Sequence, residues 1–176
     1  FKFAAAVTVA GLGLLPTVAP AARPAAHSSA DARLKALYDG YAGWDAKESG
    51  FLENARGETK PAAYLPHVDA AAQLRRAAHL QDLLDQLNAI PASQLSPEEK
   101  VNAAIFRTIL ENAVSDAHFR LWEMPFNSDS SFWTYLNESG PLQDAAEYRR
   151  YIARMRDVPR YFDEQIVNMR AGLARG

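Results

Sequence analysis

The stretch SPEEKVNAAIFRTILENAVSDAHFRLW, residues 96–122, is the clearest helical pattern in the chain. It opens on a start signal: Ser96 suits the cap, Pro97 the first helical position, and Glu99 sits where a carboxylate reaches back to the serine amide. Behind it Val101, Ile105 and Ile109 form an apolar stripe, with Phe106, Leu110, Ala113, Val114, Ala117 and Leu121 beside it. Read as one helix, the stretch makes a rod of roughly 40 Å at about 1.5 Å per residue. A rod of that kind needs helical neighbours of similar length, and the flanking sequence supplies them.

Upstream, DARLKALYDGYAGWDAKE (31–48) places Leu34, Leu37, Tyr38, Tyr41 and Trp44 at helical spacing. A second helix is expected from about Asp69 to Asn88, with Leu80, Leu83, Leu84 and Leu87 on one face and Pro91 ending it. Between them, residues 49–67 carry Gly50, Gly57, Pro61 and Pro66 and read as a long connection crossing a surface. Downstream, Asp144 and Glu147 repeat the capping logic, and Tyr148, Tyr151, Ile152 and Met155 make a fourth stripe. Pro159 is expected to open a fifth helix that buries Phe162, Ile166, Met169 and Leu173 together. No strand pattern of any length interrupts this. The fold class that follows is all-α, a bundle of about five helices whose short connections favour antiparallel or sharply angled neighbours.

The chain has 176 residues, enough for one domain with a real core, and a formal charge of −2 that argues against nucleic acid or an acidic membrane surface as partner. It contains no cysteine, which excludes disulfides, thiolate metal sites and thiol nucleophiles within it. Lys2 precedes an alanine-rich apolar run too short and weak to span a membrane, and Ala19-Pro20-Ala21 offers the small residues a signal peptidase reads. Residues 1–22 are therefore expected to be an export signal whose start is incomplete, since the chain begins with Phe. Residues 23–30 read as an Ala/Pro/Ser linker, and 31–176 as the helical portion. Export places the protein in the periplasm or outside the cell, without a stable membrane anchor.

Chemistry is sparse. The four histidines, His27, His67, His79 and His118, form no HExxH, and His79 reads as a half-buried packing residue beside the leucine stripe. Neither a Gly-rich phosphate loop nor a GxSxG elbow is present. The arginine-rich end alternates Tyr with Arg, but interleaved Glu147, Asp157, Asp163 and Glu164 point to a solvated helix face with inward tyrosines. The one unusual feature is EMPFNSDSSFW (123–133), a polar cluster bracketed by large aromatics. It has two readings. Asn127 and Asp129 cap the next turn while the aromatics fill the core, or Asn127, Ser128 and Asp129 face a cleft against an apolar wall of Phe126, Phe132 and Trp133.

The runs LSPEEKVNAAIFRTILENAVSDAHFRLWEMPFNSDSSFW and YRRYIARMRDVPRYFDEQIVNMRAGLARG, with LYDGYAGWDAKE and LDQLNAIPASQLS ahead of them, resemble the N-terminal part of the DUF885 family from about Ala32 to Gly176. Members of that family are mostly exported bacterial proteins regarded as zinc metallopeptidases of the gluzincin type. They are much longer than this chain, and their HExxH helix and remaining zinc ligand lie downstream of the arginine-rich helices. The resemblance thus implies a chain truncated at its C-terminus, the N-terminal half of a larger helical metallopeptidase-like fold. It implies no catalytic or metal-binding residue within 1–176, zinc in the full-length parent, and a C-terminal catalytic half as partner. Peptide-binding residues implied for the cleft are Phe126, Asn127, Ser128, Asp129 and Trp133. The function expected is a cleft wall and scaffold, not catalytic alone; the alternative is a free-standing helical binding or interaction module.

Overall fold

A computed structural model describes residues 29–53, 57–126, 131–133, 136 and 141–176; the export-signal reading and most of the linker lie outside them. Four α-helices are present among the described residues: α1 Ser29–Glu48, α2 Ala70–Asn88, α3 Pro97–His118 and α4 Ala145–Arg175. A short hairpin, β1 Phe51–Glu53 and β2 Thr59–Pro61, is antiparallel with Phe51 opposite Pro61. The all-α class holds, and no helix among the described residues is long and apolar enough to cross a membrane.

The first core lies between α1, α2 and α3. Leu34 comes from α1, Leu83 and Leu87 from α2, and Phe106 and Leu110 from α3. Ile90 and Leu95 close the base, where the link between α2 and α3 is short enough to make the two a helical hairpin. Caps set the starts. Asp69 accepts from Ala72 N–H (2.9 Å), and Ser96 Oγ from Glu99 N–H (3.3 Å). The expected reciprocal bond from Glu99 is replaced. The Ser96 N–H donates to Asp31 Oδ1 (3.0 Å), a buried carboxylate on α1, while Glu99 accepts from Tyr38 Oη (3.4 Å) and Asn102 (3.3 Å). The cap of α3 is thereby used to fasten α1.

Three expectations are corrected. The stripe Val101, Ile105 and Ile109 faces outward, at 59%, 56% and 43% exposure, and α3 buries Ala103, Phe106 and Leu110 instead. The helix also ends at His118, because Arg120 adopts a left-handed conformation (φ 54°) that turns the chain before residues 121–123. Pro159 does not start a new helix: α4 runs through it for 31 residues, which leaves four helices among the described residues, close to the five or so expected. An interior proline costs about 3 kcal/mol by removing a hydrogen bond. Here the contacts of Asp157, Arg160 and Glu164 clamp the turns on both sides of it, and Pro159 and Met155 both lie on the exposed face, where water can serve the freed carbonyl.

The connection 49–67 keeps much of its length exposed, as a surface crossing does, but it is more than a plain loop. It forms the hairpin and then a belt in which Ala62, Leu65 and Val68 are buried. Gly50 (φ 74°) makes the entry, since a side chain there would be strained and would meet Pro66, Tyr64 and Arg154 at 3.4–3.5 Å. Leu65 and Val68 join Phe132 and Tyr161 in a second core, with Leu136, Val158, Phe162 and Met169 against it.

The two faces of α3 give a direct test. Leu110→Ala, at a fully buried site, is expected to cost about 2–5 kcal/mol, while Ile105→Ala stays within about 0.5 kcal/mol. Urea unfolding of both variants measures the difference, and equal costs would show that the outward face of α3 is covered.

Candidate functional site

α4 buries a polar face. Glu147, Arg154, Tyr161 and Asn168 recur every seven residues along it and all are buried, with Gln165 beside them. What they and their neighbours hold is the belt. The Leu65 N–H donates to Asp157 Oδ2 (2.8 Å), and its carbonyl accepts from Arg160 Nη2 (2.7 Å). The Val68 N–H donates to Glu164 Oε2 (2.7 Å), and its carbonyl accepts from Asn168 Nδ2 (2.6 Å). One turn earlier, Arg154 Nη1 donates to the carbonyls of Tyr64 (3.0 Å), Gly50 (3.4 Å) and Ala62 (3.5 Å). An extended segment normally satisfies such groups by pairing with a strand; here helix side chains substitute for the strand.

Arg160 is the hub. Its Nε and Nη2 both reach Asp157 (2.8 and 2.6 Å), and Nη1 reaches Glu164 Oε1 (2.7 Å). The Arg160 guanidinium holds the Asp157 carboxyl below its usual range, helped by the Leu65 N–H and opposed by burial. Burial acting alone would raise Glu164, but the Val68 N–H, then Arg160 and His67, outweigh it and hold Glu164 low. The same two carboxylates, Asp157 foremost, push Arg160 upward.

His67, Asp69 and Glu164 offer ligand atoms within 4.8 Å of one another, the arrangement to test against the zinc that the resemblance implies. The donors do not fit it. Both oxygens of Glu164 are engaged, by Val68 and Arg160, and Asp69 Oδ1 caps α2. The Arg160 guanidinium stands 3.1 Å from His67 Nδ1, so a divalent ion would be held against a fixed positive charge. His67 Nδ1 also lies 2.9 Å from Glu164 Oε1, so the imidazole nitrogen already belongs to the hydrogen-bonded network around Arg160.

Of the cleft residues expected from sequence, Asn127, Ser128 and Asp129 lie outside the described residues. Phe126 and Trp133 are half-exposed and meet edge-on, with ring centroids 5.0 Å apart. Phe132 is buried beneath both (5.3 and 5.1 Å) and packs against Phe162 (5.0 Å) and Tyr161 (6.0 Å) of α4. Phe132 thus anchors the cluster, and the other two rings present apolar surface to solvent. At the second core opens a cavity of about 380 Å³, lined by Phe51, Leu65, Leu136, Tyr161 and the buried Arg154. Its walls are apolar with one guanidinium among them, a combination that suits a ligand with an apolar body and an acceptor group.

Sequence reasoning missed Arg154, Asp157, Arg160 and Glu164. It took the arginines of this region as solvated and its tyrosines as inward, yet Arg154 is buried and Tyr148 exposed. The sevenfold recurrence of Glu147, Arg154, Tyr161 and Asn168 was the signal available. On the other expectation, His79 is half-buried with its ring 4.3 Å from that of Trp44.

These features define an all-α protein in which a polar helix face organises an extended belt beneath a half-exposed aromatic cluster. The chain belongs to the DUF885 family, described as bacterial protein of unknown function, which it matches over residues 46–176. No curated protein matches the chain, and no solved structure does either.

The network predicts an acid-sensitive fold. Asp157 and Glu164 both have lowered folded-state values, so their stabilisation is complete above the ordinary carboxylate range and drains away as pH falls through those values, below about pH 4. Urea midpoints at pH 7, 5 and 3 are expected to drop mainly between the last two, and Asp157→Asn should flatten that drop. Arg160→Met is expected to cost about 2–4 kcal/mol at pH 7, with Arg160→Lys recovering only part because an ammonium lacks the fork.

Proposed function

We propose that this chain is the helical N-terminal portion of an exported zinc-dependent peptidase, building one wall of the substrate cleft and holding the catalytic half in place without hydrolysing peptides itself. The observation that carries this reading is the outward apolar face of α3. Val101, Ile105 and Ile109 stand exposed, and the last two join Tyr38, Tyr41, Asn102 and Phe106 in lining a groove of about 320 Å³. A long helix with apolar residues on both its buried and its outward face is suited to sit between two layers of protein. The class of activity comes from the resemblance of the runs quoted above to exported metallopeptidases, while the family's own description, bacterial protein of unknown function, assigns none.

In this reading zinc and the residues that activate water belong to the catalytic half, and no step through the metal falls to residues of this chain. Phe126 and Trp133 are assigned to an apolar side chain of the peptide, and Asn127, Ser128 and Asp129, by their polar groups alone, to its backbone. Export rests on Lys2, the apolar run that follows it and Ala19-Pro20-Ala21.

The test begins with the coding DNA past the codon for Gly176. An open frame carrying an HExxH on a helical pattern supports the proposal, and a stop codon there removes it. In the product of an open frame, Trp133→Ala is expected to lower kcat/KM for peptides about tenfold, ~1.4 kcal/mol. Unchanged turnover in both Trp133→Ala and Asp129→Ala would take the cleft role away from this segment.

A further inference from the structure

α4 is inverted relative to the bundle it belongs to. Its fully buried residues are polar apart from the ring of Tyr161, and an outer stripe of apolar residues looks outward. Starting at Tyr148, they recur at alternating steps of four and three residues through Ile152, Met155 and Ile166 to Leu173, all of them exposed. Pro159, Phe162 and Met169 occupy the intervening steps, the last two turning half inward against the second core. A repeat of 3.5 residues kept for 26 residues is the pattern of a seam that meets another helix, and the described residues occupy only the opposite face of α4.

The flank of the seam carries its own message. One position beyond each of Tyr148, Met155, Phe162 and Met169 stand Arg149, Arg156, Asp163 and Arg170, all exposed. None of the three arginines forms an ion pair with a described residue. The other flank, Tyr151, Val158, Gln165 and Gly172, is partly or fully buried in the fold, so a partner helix approaches from the arginine side. Three arginines against one aspartate give that side a positive row.

We propose that the exposed seam of α4 is the docking site of an amphipathic helix that is apolar at its own 3.5-residue repeat and carries carboxylates along the flank facing Arg149, Arg156 and Arg170. A second copy of this chain fits less well. Antiparallel pairing of two such seams sets Arg149 of one against Arg170 of the other at both ends, offset only in part by Arg156 against Asp163. The inference deepens the reading above by naming what covers this face, and rests on it only in taking the face to be covered by protein. Peptide hydrolysis plays no part in it, so the test below can fail while a peptidase assay succeeds, and the reverse.

The test uses the whole 176-residue chain and two synthetic helices of about four heptads with identical leucine seams, one flanked by glutamate and one by lysine. Binding is followed by fluorescence anisotropy at low and high salt, with circular dichroism recorded alongside. The glutamate-flanked helix is expected to bind at least tenfold more tightly than the lysine-flanked one, with the gap closing in high salt. The triple variant R149E/R156E/R170E, altered only at exposed positions, should reverse the preference while keeping the helicity of the parent chain. A chain that gains helicity only with the glutamate-flanked helix supports the proposal as direct binding does. Equal binding of the two helices, binding of neither, or self-association of the chain that Ile152→Gln abolishes would overturn it.

Discussion

Two residues of extended backbone, Leu65 and Val68, have every peptide polar group they own satisfied by side chains from a single helix roughly ninety to a hundred positions later. Much of the second half of the molecule depends on that arrangement. It lets an extended segment be buried without a sheet, and it brings Leu65 and Val68 beneath Phe132 and Tyr161 to make the second core. A buried peptide group without a partner costs about 1–3 kcal/mol, so the helix that supplies the partners must turn its polar side inward. Its apolar side then has nowhere to go but out.

The same demand explains the proline. A helix interrupted at Pro159 would separate Asp157 from Arg160 and Glu164, yet all three must stand on one rigid rod to meet Leu65 and Val68 in register. Arg160 gives the rod its tightest point, since one planar fork serves two carboxylates and a backbone carbonyl at once. The first core works in a plainer way. Apolar residues of α1, α2 and α3 fill it, and its polar feature, Asp31 on the Ser96 amide, fastens two helix starts together.

Much of this was legible in the sequence where local rules decide the outcome. The stripes of α1 and α2, the cap at Ser96 and the start of α4 at Asp144 all follow from spacing and short-range hydrogen bonding. The face that α3 and α4 bury was not legible, because periodicity finds the apolar stripe and assumes that it points inward. For Val101, Ile105 and Ile109, and for Ile152, Met155 and Ile166, that assumption fails. The belt was hidden for a related reason. Gly50, Gly57, Pro61 and Pro66 are ordinary loop residues, and only the distant polar heptad on α4 shows that the loop is gripped. At the aromatic cluster, the sequence named Phe126, Phe132 and Trp133 without showing that Phe132 alone of the three is buried.

The separation between belt and helix also sets an order of events in time. A chain made from its N-terminus at about 5–20 residues per second releases Leu65 roughly 5–20 seconds before the residues that hold it exist. Through that interval the hairpin of α2 and α3 can close on its own short-range contacts, while residues 62–68 wait with their backbone groups in water. The belt is thus the last part of the molecule to be told where it belongs, and the signal reaches it all at once, when a single helix forms.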